Sequence, residues 1–422
     1  MTEPHRLTAT EAARRIRAGQ LDPVALVESC LERIAARDAV VHAFAHFDPD
    51  LVRRAVRHAR PGALHGLPVG VKDVLDTADQ PSQYGSPIWA GHRPFADAAS
   101  VAWARAAGAV VIGKTVTTEF ATRKPGATAN PAGPAHTPGG SSSGSAAGVA
   151  DFQFPLGFGT QTAGSVIRPA AYCGAVGYKP SFGLIPLLGM KVMSQSLDTI
   201  GTMGRSVADC ALLAGAAGQV DLGDPDARVA APRIGLCLSP SWPLATADTQ
   251  ALFAGLAARL GRAGARVTGW ELPASFDALA TAHPIVMNGE SARSMGWELA
   301  QARAGLSEGL AERLDWGLAQ GPAVLAEAQA TFRQCQDGFA DALGDLDILV
   351  TPSAPGEAPL GLEWTGDPAF NYLWTTLHVP CITIPHGTGA TGMPLGVQIV
   401  GRRGADRATL AWAQWVAAAL AG

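Results

Sequence analysis

The sequence predicts an α/β fold around a largely buried sheet, on three observations. Short aliphatic and β-branched runs alternate with helical stretches along all 422 residues, without obvious internal repeats. Apolar residues make up 47% and charged residues 16%, enough to fill a substantial core. No Ser/Pro-rich or charged linker divides the chain. Length alone would suggest two or three domains, but residues 1–422 read as a single unit.

The elements follow from local chemistry. Thr8-x-x-Glu11 is a capping box opening a short helix that Gly19 closes. Asp22-Pro23, with proline at the first helical position, opens a second helix to about Arg37. Ala39 to Phe47 alternates like a strand, and Asp48-Pro49 starts another helix. Leu67–Val71 is an apolar run ending at Lys72-Asp73, the mark of a buried strand; Asp97–Ala107 reads as helix and Ala109–Ile112 as strand. Ser206–Ala217 is helical, Arg233–Leu238 strand-like, Thr249–Ala263 an amphipathic helix and Ala265–Trp270 a strand. Asn288 to Leu343 is mostly helical, broken near Gly305 and Gly321. Leu346–Thr351, Cys381–Ile384 and Gly396–Gly401 are late strands, and a helix from Ala405 closes the chain.

Composition narrows the function. Net charge is −4, with no basic run and no interleaving of aromatic and basic residues, which argues against a nucleic-acid surface. Cys30, Cys173, Cys210, Cys237, Cys335 and Cys381 are scattered, without a C-x-x-C pair or a secretory segment ahead of them. Buried free thiols and a cytoplasmic setting are expected. No stretch of about 18 uninterrupted apolar residues implies a membrane span.

Three patterns imitate known motifs. Gly108-Ala-Val-Val-Ile-Gly113-Lys114-Thr115 fits the P-loop expression, but Ala-Val-Val-Ile is a buried strand rather than a flexible phosphate turn. Gly140-Ser-Ser142-Ser-Gly144 fits the nucleophile elbow, with Asp347 and His378 or His386 downstream. The proline-rich stretch before it cannot be the strand that an elbow requires, though the reading stays open. His42 and His46 have zinc-like spacing but lie in alternating sequence without the glutamate of H-E-x-x-H, and Trp412 and Trp415 suit core packing.

The chemistry concentrates in two glycine-rich serine loops 24 residues apart: Thr137-Pro-Gly-Gly-Ser141-Ser142-Ser143-Gly-Ser145 and Gly159-Thr-Gln161-Thr162-Ala163-Gly164-Ser165-Val-Ile-Arg168-Pro. Glycines let several N–H groups converge where an oxyanion would develop. A serine nucleophile needs a base. No histidine stands near either loop in a recognisable motif except His136, and lysine is the alternative. The chain has only five lysines, at 72, 114, 124, 179 and 191, among 32 basic residues. A buried lysine can lose its proton, whereas arginine keeps it. Spacing does not choose between Lys72, Lys114 and Lys179, and a buried Lys72 held by a carboxylate such as Asp73 is the structural alternative.

These motifs stand in the order seen in the amidase signature family. Gly66-Leu-Pro-Val-Gly-Val-Lys72-Asp73, Gly113-Lys-Thr115 with Glu119-Phe120, Pro138-Gly-Gly-Ser-Ser142, Gly164-Ser165 and Gly177-Tyr-Lys-Pro180 resemble its core. Ser196-Leu-Asp-Thr-Ile-Gly201, Thr351-Pro352 and Pro394-Leu-Gly-Val-Gln398 resemble its later landmarks. The resemblance implies a mixed, twisted central sheet covered by helices on both faces. It also implies a helical segment over about 1–65, a core over 66–210, a substrate-shaping region over 211–345 and a final core part over 346–422. By the same resemblance Lys72 matches the catalytic lysine, Ser141 the bridging serine with an unusual cis peptide bond, and Ser165 the nucleophile. The amides of Thr162, Ala163, Gly164 and Ser165 match the oxyanion hole, and Ser142 a serine that orders the site.

Three positions depart from the commonest pattern: Gln161 replaces an aspartate, Ala163 a glycine, and Arg168 lies one place late, which would remove an ion pair beneath the nucleophile loop. The resemblance further implies hydrolysis of a small-molecule amide without metal or cofactor, with homodimerisation as the oligomeric state to consider. Tyr84, Gln161, Met190, Asn371 and Trp374 are the expected substrate contacts, from segments around 84–89, 124–134, 190–195 and 370–374. The alternatives are the glutaminase component of a tRNA-dependent amidotransferase and a catalytically silent binding protein.

Overall fold

Eleven strands join in one mixed sheet in the computed structural model, which describes residues 3–421. They are β1 (Phe44–His46), β2 (Pro68–Lys72), β3 (Val110–Thr115), β4 (Leu156–Gln161), β5 (Val176–Lys179), β6 (Thr199–Gly204), β7 (Arg233–Leu236), β8 (Arg266–Gly269), β9 (Ile348–Pro352), β10 (Cys381–Thr388) and β11 (Pro394–Val400). Their order is β1-β3-β2-β4-β6-β5-β10-β11-β9-β7-β8. The β3-β2-β4 and β9-β7-β8 blocks are parallel, and the strands between them antiparallel. Helices cover both faces, as expected. Ser143–Ala150 and Ile167–Cys173 pack together on one side, and Val207–Gly218 with Asp406–Ala421 on the other. Burial on both faces explains why β2, β3, β4, β5, β6 and β9 are buried at every position. Strands from the 211–345 stretch extend the same sheet at one edge.

One expected element is corrected. The alternation over Ala39–Phe47 is not a continuous strand, because the helix Pro23–Val41 runs on through its first residues. His42 ends that helix in the left-handed conformation, and the Asp38 carboxylate accepts the Ala43 N–H at 2.7 Å, which leaves only Phe44–His46 to pair with β3. Around and after the serine loops the sequence concealed β4 and β6, because Leu-Gly-Phe-Gly-Thr-Gln and Thr-Ile-Gly-Thr-Met-Gly carry glycine where strands favour β-branched residues. Packing accounts for one of them: a Cβ on Gly159 would lie 2.9 Å from the Ser142 hydroxyl.

The motif imitations resolve as structure. Residues 110–115 form β3, fully buried, with Lys114 paired to Asp73. Asp347 pairs with Arg233, and His378 stacks on Phe182 and hydrogen-bonds the Ser196 carbonyl, so neither meets Ser142. Trp412 and Trp415 pack against the main core. All six cysteines are free and buried. Among the described residues, no helix is long and apolar enough to cross a membrane.

Candidate active site

The parallel pairing of β2 with β4 sets the site, because both strands end at the same edge of the sheet, where ligands of open α/β sheets gather. Lys72 is the last residue of β2, and Thr160 and Gln161 close β4. The Lys72 amine is fully buried and donates to the Ser141 hydroxyl at 2.7 Å and the Thr160 hydroxyl at 2.7 Å, with the Thr160 carbonyl at 3.4 Å. Burial holds its pKa well below the usual lysine value, outweighing the opposing charge of Asp198. The Asp198 carboxyl is itself pushed up to about 6 by burial; it accepts from the Thr162 hydroxyl at 2.6 Å and from the Met193 and Ser194 amides.

The carboxylate beside Lys72 in sequence is committed elsewhere. Asp73 pairs with Lys114 at 3.0 Å, Lys179 donates to the Pro180 and Val379 carbonyls, and Lys191 binds Glu298. Lys114 also donates to the Ser82 hydroxyl, but with Asp73 paired to the same amine; of these four lysines Lys72 alone meets hydroxyls with no carboxylate in contact. Its neutral form is the one that can accept a proton.

The Gly140–Ser141 peptide is cis. Ser142 ties the two loops together: its hydroxyl accepts the Thr160 N–H at 3.1 Å and donates to the Thr160 carbonyl at 3.2 Å, while its own N–H reaches the Ser165 carbonyl at 3.4 Å. Ser143 and Ser145 serve the fold, donating to the Val116 and Phe158 carbonyls. Among the described residues, no hydrogen bond joins the Ser141 and Ser165 hydroxyls, nor does any amide of 162–165 donate to an acceptor within the chain. Four successive N–H groups without internal partners, next to a serine hydroxyl, can hold an oxyanion.

Gln161, where the resemblance led one to expect an acid, is held by hydrogen bonds at both ends of its amide. Its Oε1 accepts the Val166 and Ile167 amides at 2.9 and 3.0 Å, and its Nε2 donates to the Thr375 hydroxyl at 2.9 Å; that hydroxyl in turn donates to the Ala163 carbonyl at 2.7 Å. This neutral bracket shapes the turn carrying Ser165. Replacing Gln161 with Ala strands two buried amides, and each orphaned donor costs about 1–3 kcal/mol. The expected result is a lower thermal unfolding midpoint with a fall in kcat larger than the change in KM. An unaltered midpoint and kcat would contradict the bracket.

A cavity of about 440 Å³ opens at Ser165, within the range of small-molecule sites. Its walls include Thr162, Ala163 and Arg168 around Ser165, Met193, and His283 and Met287 from the helix Leu279–Ser294, with Arg313 and Tyr372 beyond. His283 is buried, with its pKa lowered to about 4 by desolvation, so it is neutral at physiological pH.

None of the five expected substrate contacts lines this cavity. Tyr84 donates to Asp76 and packs on Trp89, Met190 bridges Leu75, and Gln161 is locked in its bracket. Asn371 donates to the Ser353 carbonyl beneath Gly164, and Trp374 packs against Phe339 in a secondary core. Aromatic and amide side chains in those segments resemble ligand contacts in sequence, but burial draws them into packing. The lining residues His283, Met287 and Arg313 sit on ordinary helices and left no mark in sequence; Met193 and Tyr372 come from expected segments.

Comparison with known proteins follows this geometry. The model of the family described as Amidase matches residues 25–410. A glutamyl-tRNA(Gln) amidotransferase subunit of Chloroflexus aurantiacus is 32% identical, covering 97% of this chain and 96% of that protein; the Chloroflexus aggregans protein of the same description is 34% identical, covering 97% and 95%. Among solved structures, one described as an amidase superposes with a TM-score of 0.89 at 28% identity, covering 98% of this chain and all of that one. Native peptide amidase from Stenotrophomonas maltophilia gives 0.82 at 29% identity, covering 99% and 97%.

Proposed function

This chain belongs to the amidase family, and on that premise we propose that it is a serine-dependent amidohydrolase. It cleaves a carboxylic amide of a small molecule to carboxylate plus ammonia or amine, through an acyl-enzyme on Ser165. The observation that carries this reading is the buried Lys72 amine hydrogen-bonded to Ser141, beside four adjacent amides that have no acceptor among the described residues.

Neutral Lys72 takes the proton of Ser141 as Ser141 takes that of Ser165, and the Ser165 oxygen attacks the carbonyl carbon. The Ser141–Ser165 contact tightens when substrate fills the cavity, as catalytic hydrogen bonds often do. The amides of 162–165 stabilise the tetrahedral oxyanion, roughly 3–4 kcal/mol for each well-placed donor. Ser141 then hands a proton to the leaving nitrogen, and the C–N bond breaks. Water, activated by the same relay, releases the acid.

A second reading has its own support, since the glutamyl-tRNA(Gln) amidotransferase relatives align along nearly the whole chain. In it, ammonia from glutamine passes to a partner rather than to solvent. The deciding experiment incubates the purified chain with primary amides, anilides, carbamates, ureas and glutamine, measuring ammonia or amine release and mass in solution. Turnover by the chain alone, as monomer or homodimer, supports the amidohydrolase. Glutaminase activity that requires tRNA and a partner protein supports the other reading. If a fluorophosphonate fails to label Ser165 and nothing is hydrolysed, the chain is a binding protein.

A further inference from the structure

Each of the carbonyls that precede the Ala163, Gly164 and Ser165 amides is anchored. The Thr162 carbonyl meets His283 Nε2 at 3.4 Å, the Ala163 carbonyl accepts the Thr375 hydroxyl at 2.7 Å, and the Gly164 carbonyl accepts the Arg168 N–H at 2.9 Å. These peptides are trans, and a trans peptide is a rigid plane with its C=O and N–H on opposite edges. Holding a carbonyl therefore fixes the direction of the N–H that follows it. The three N–H groups have no acceptor among the described residues, so the anchors aim donors that the fold leaves unused.

The anchors differ in origin. The Arg168 N–H belongs to the first turn of the helix after the loop, and Thr375 is already joined to the loop through Gln161. His283 comes from 121 residues further along, on the helix Leu279–Ser294, whose Ala280, Pro284 and Met287 form part of the cavity wall. A carbonyl can only accept, so Nε2 carries the ring proton in this contact. The ring is buried, with its centroid 5.2 Å from that of Tyr372. Burial lowers its pKa to about 4 and the charge of Arg313 adds to the effect, so the ring is neutral and has a single N–H to give. That one donor goes to the peptide ahead of Ala163.

We propose that His283 is a positioning residue for the reaction at Ser165: its Nε2–H holds the Thr162 carbonyl so that the Ala163 N–H is directed at the developing oxyanion. The role rests on the amidohydrolase reading and adds to it a link between the cavity wall and the oxyanion donors. Losing the anchor leaves the Ala163 amide in place and lets its peptide plane swing. The loss should therefore be smaller than the roughly 10²- to 10³-fold that follows removal of a whole donor. The 3.4 Å length points the same way, since a long hydrogen bond is a weak one.

Two substitutions separate donor from bulk. His283→Phe keeps a ring beside Tyr372 but has no N–H, whereas His283→Gln carries an amide that can donate at similar reach. On the fastest substrate of the amide panel, His283→Phe should lower kcat on the order of 10-fold with KM within about twofold, and His283→Gln should recover most of it. The rate at which a short alkyl fluorophosphonate labels Ser165 should fall in parallel, because its phosphoryl oxygen draws on the same amides; this readout needs no substrate. In the wild type carrying nitrogen-15 histidine, NMR at neutral pH should show His283 as the Nε2–H tautomer, its signals identified by their loss in His283→Gln. A fall confined to KM would make His283 part of the binding wall and overturn the proposal. Unchanged kcat and labelling in a folded His283→Phe, a His283→Gln as impaired as His283→Phe, or an Nδ1–H tautomer would overturn it as well. If His283→Phe does not fold, the rates of His283→Gln and the wild-type tautomer decide. Each of these failures, with the wild type active and labelled, leaves the amidohydrolase standing. A wild type with neither turnover nor Ser165 labelling overturns both.

Discussion

Ser165→Ala should reduce amide hydrolysis by on the order of 10⁴-fold or more, leaving the protein folded and the cavity open. The size follows from removing the atom that forms the acyl bond in the proposed mechanism; the amides of 162–165 that it assigns to the oxyanion can then only polarise the substrate for attack by water. The cost to stability should be small, within about 0.5 kcal/mol, because the Ser165 hydroxyl makes no hydrogen bond among the described residues and borders the cavity. Its backbone carbonyl, which accepts from Ser142, is retained. Product release over hours and circular dichroism with a thermal melt check both halves. Near-normal turnover by the pure variant would remove Ser165 from the mechanism.

Lys72→Met should be comparably damaging to activity and should differ from Ser165→Ala in two ways. Methionine fills nearly the same buried volume but cannot take a proton, so the relay through Ser141 stops. The wild-type kcat/KM should fall on the acid side as Lys72 becomes protonated, and a profile flat down to about pH 5 would exclude a neutral lysine base. Stability should move in the opposite direction. Because the folded pKa of Lys72 lies below its unfolded value, the unfolded chain binds more protons between the two. Stability therefore rises with pH through that window, and the native state bears its largest penalty at acid pH. Methionine removes that penalty, so the variant should melt at the same or a higher temperature than wild type, with the gap widest in acid. A lower melting temperature at every pH would mean the amine supports the fold rather than the chemistry.

Much of this was legible in sequence where local chemistry and global fold agree. The β2 run before Lys72 is apolar at every position that the sheet buries, and the glycine-serine loops carry their signature in composition. The glycine-rich strands β4 and β6 were invisible because close packing rather than strand propensity selects glycine at positions such as 159, 201 and 204, where a Cβ would meet Ser142, the Tyr178 carbonyl and Asp209. Strand expectation over Ala39–Phe47 failed for a different reason, since one carboxylate, Asp38, caps a helix that the alternation did not reveal. At the cavity, sequence favours residues that look like ligands, and the fold buried Tyr84, Met190, Asn371 and Trp374 in other contacts. Arg168 stood out only as a displaced residue; that its third nitrogen goes unused follows from three-dimensional contacts alone.

The amine of Lys72 meets hydroxyls that lie 69 and 88 residues further along the chain, and only the seam between β2 and β4 brings them within reach. Turnover thus reports on the middle of the sheet rather than on any one segment. During refolding, helical signal should return early from sequence-local pieces, and enzymatic competence should lag until those distant strands have docked.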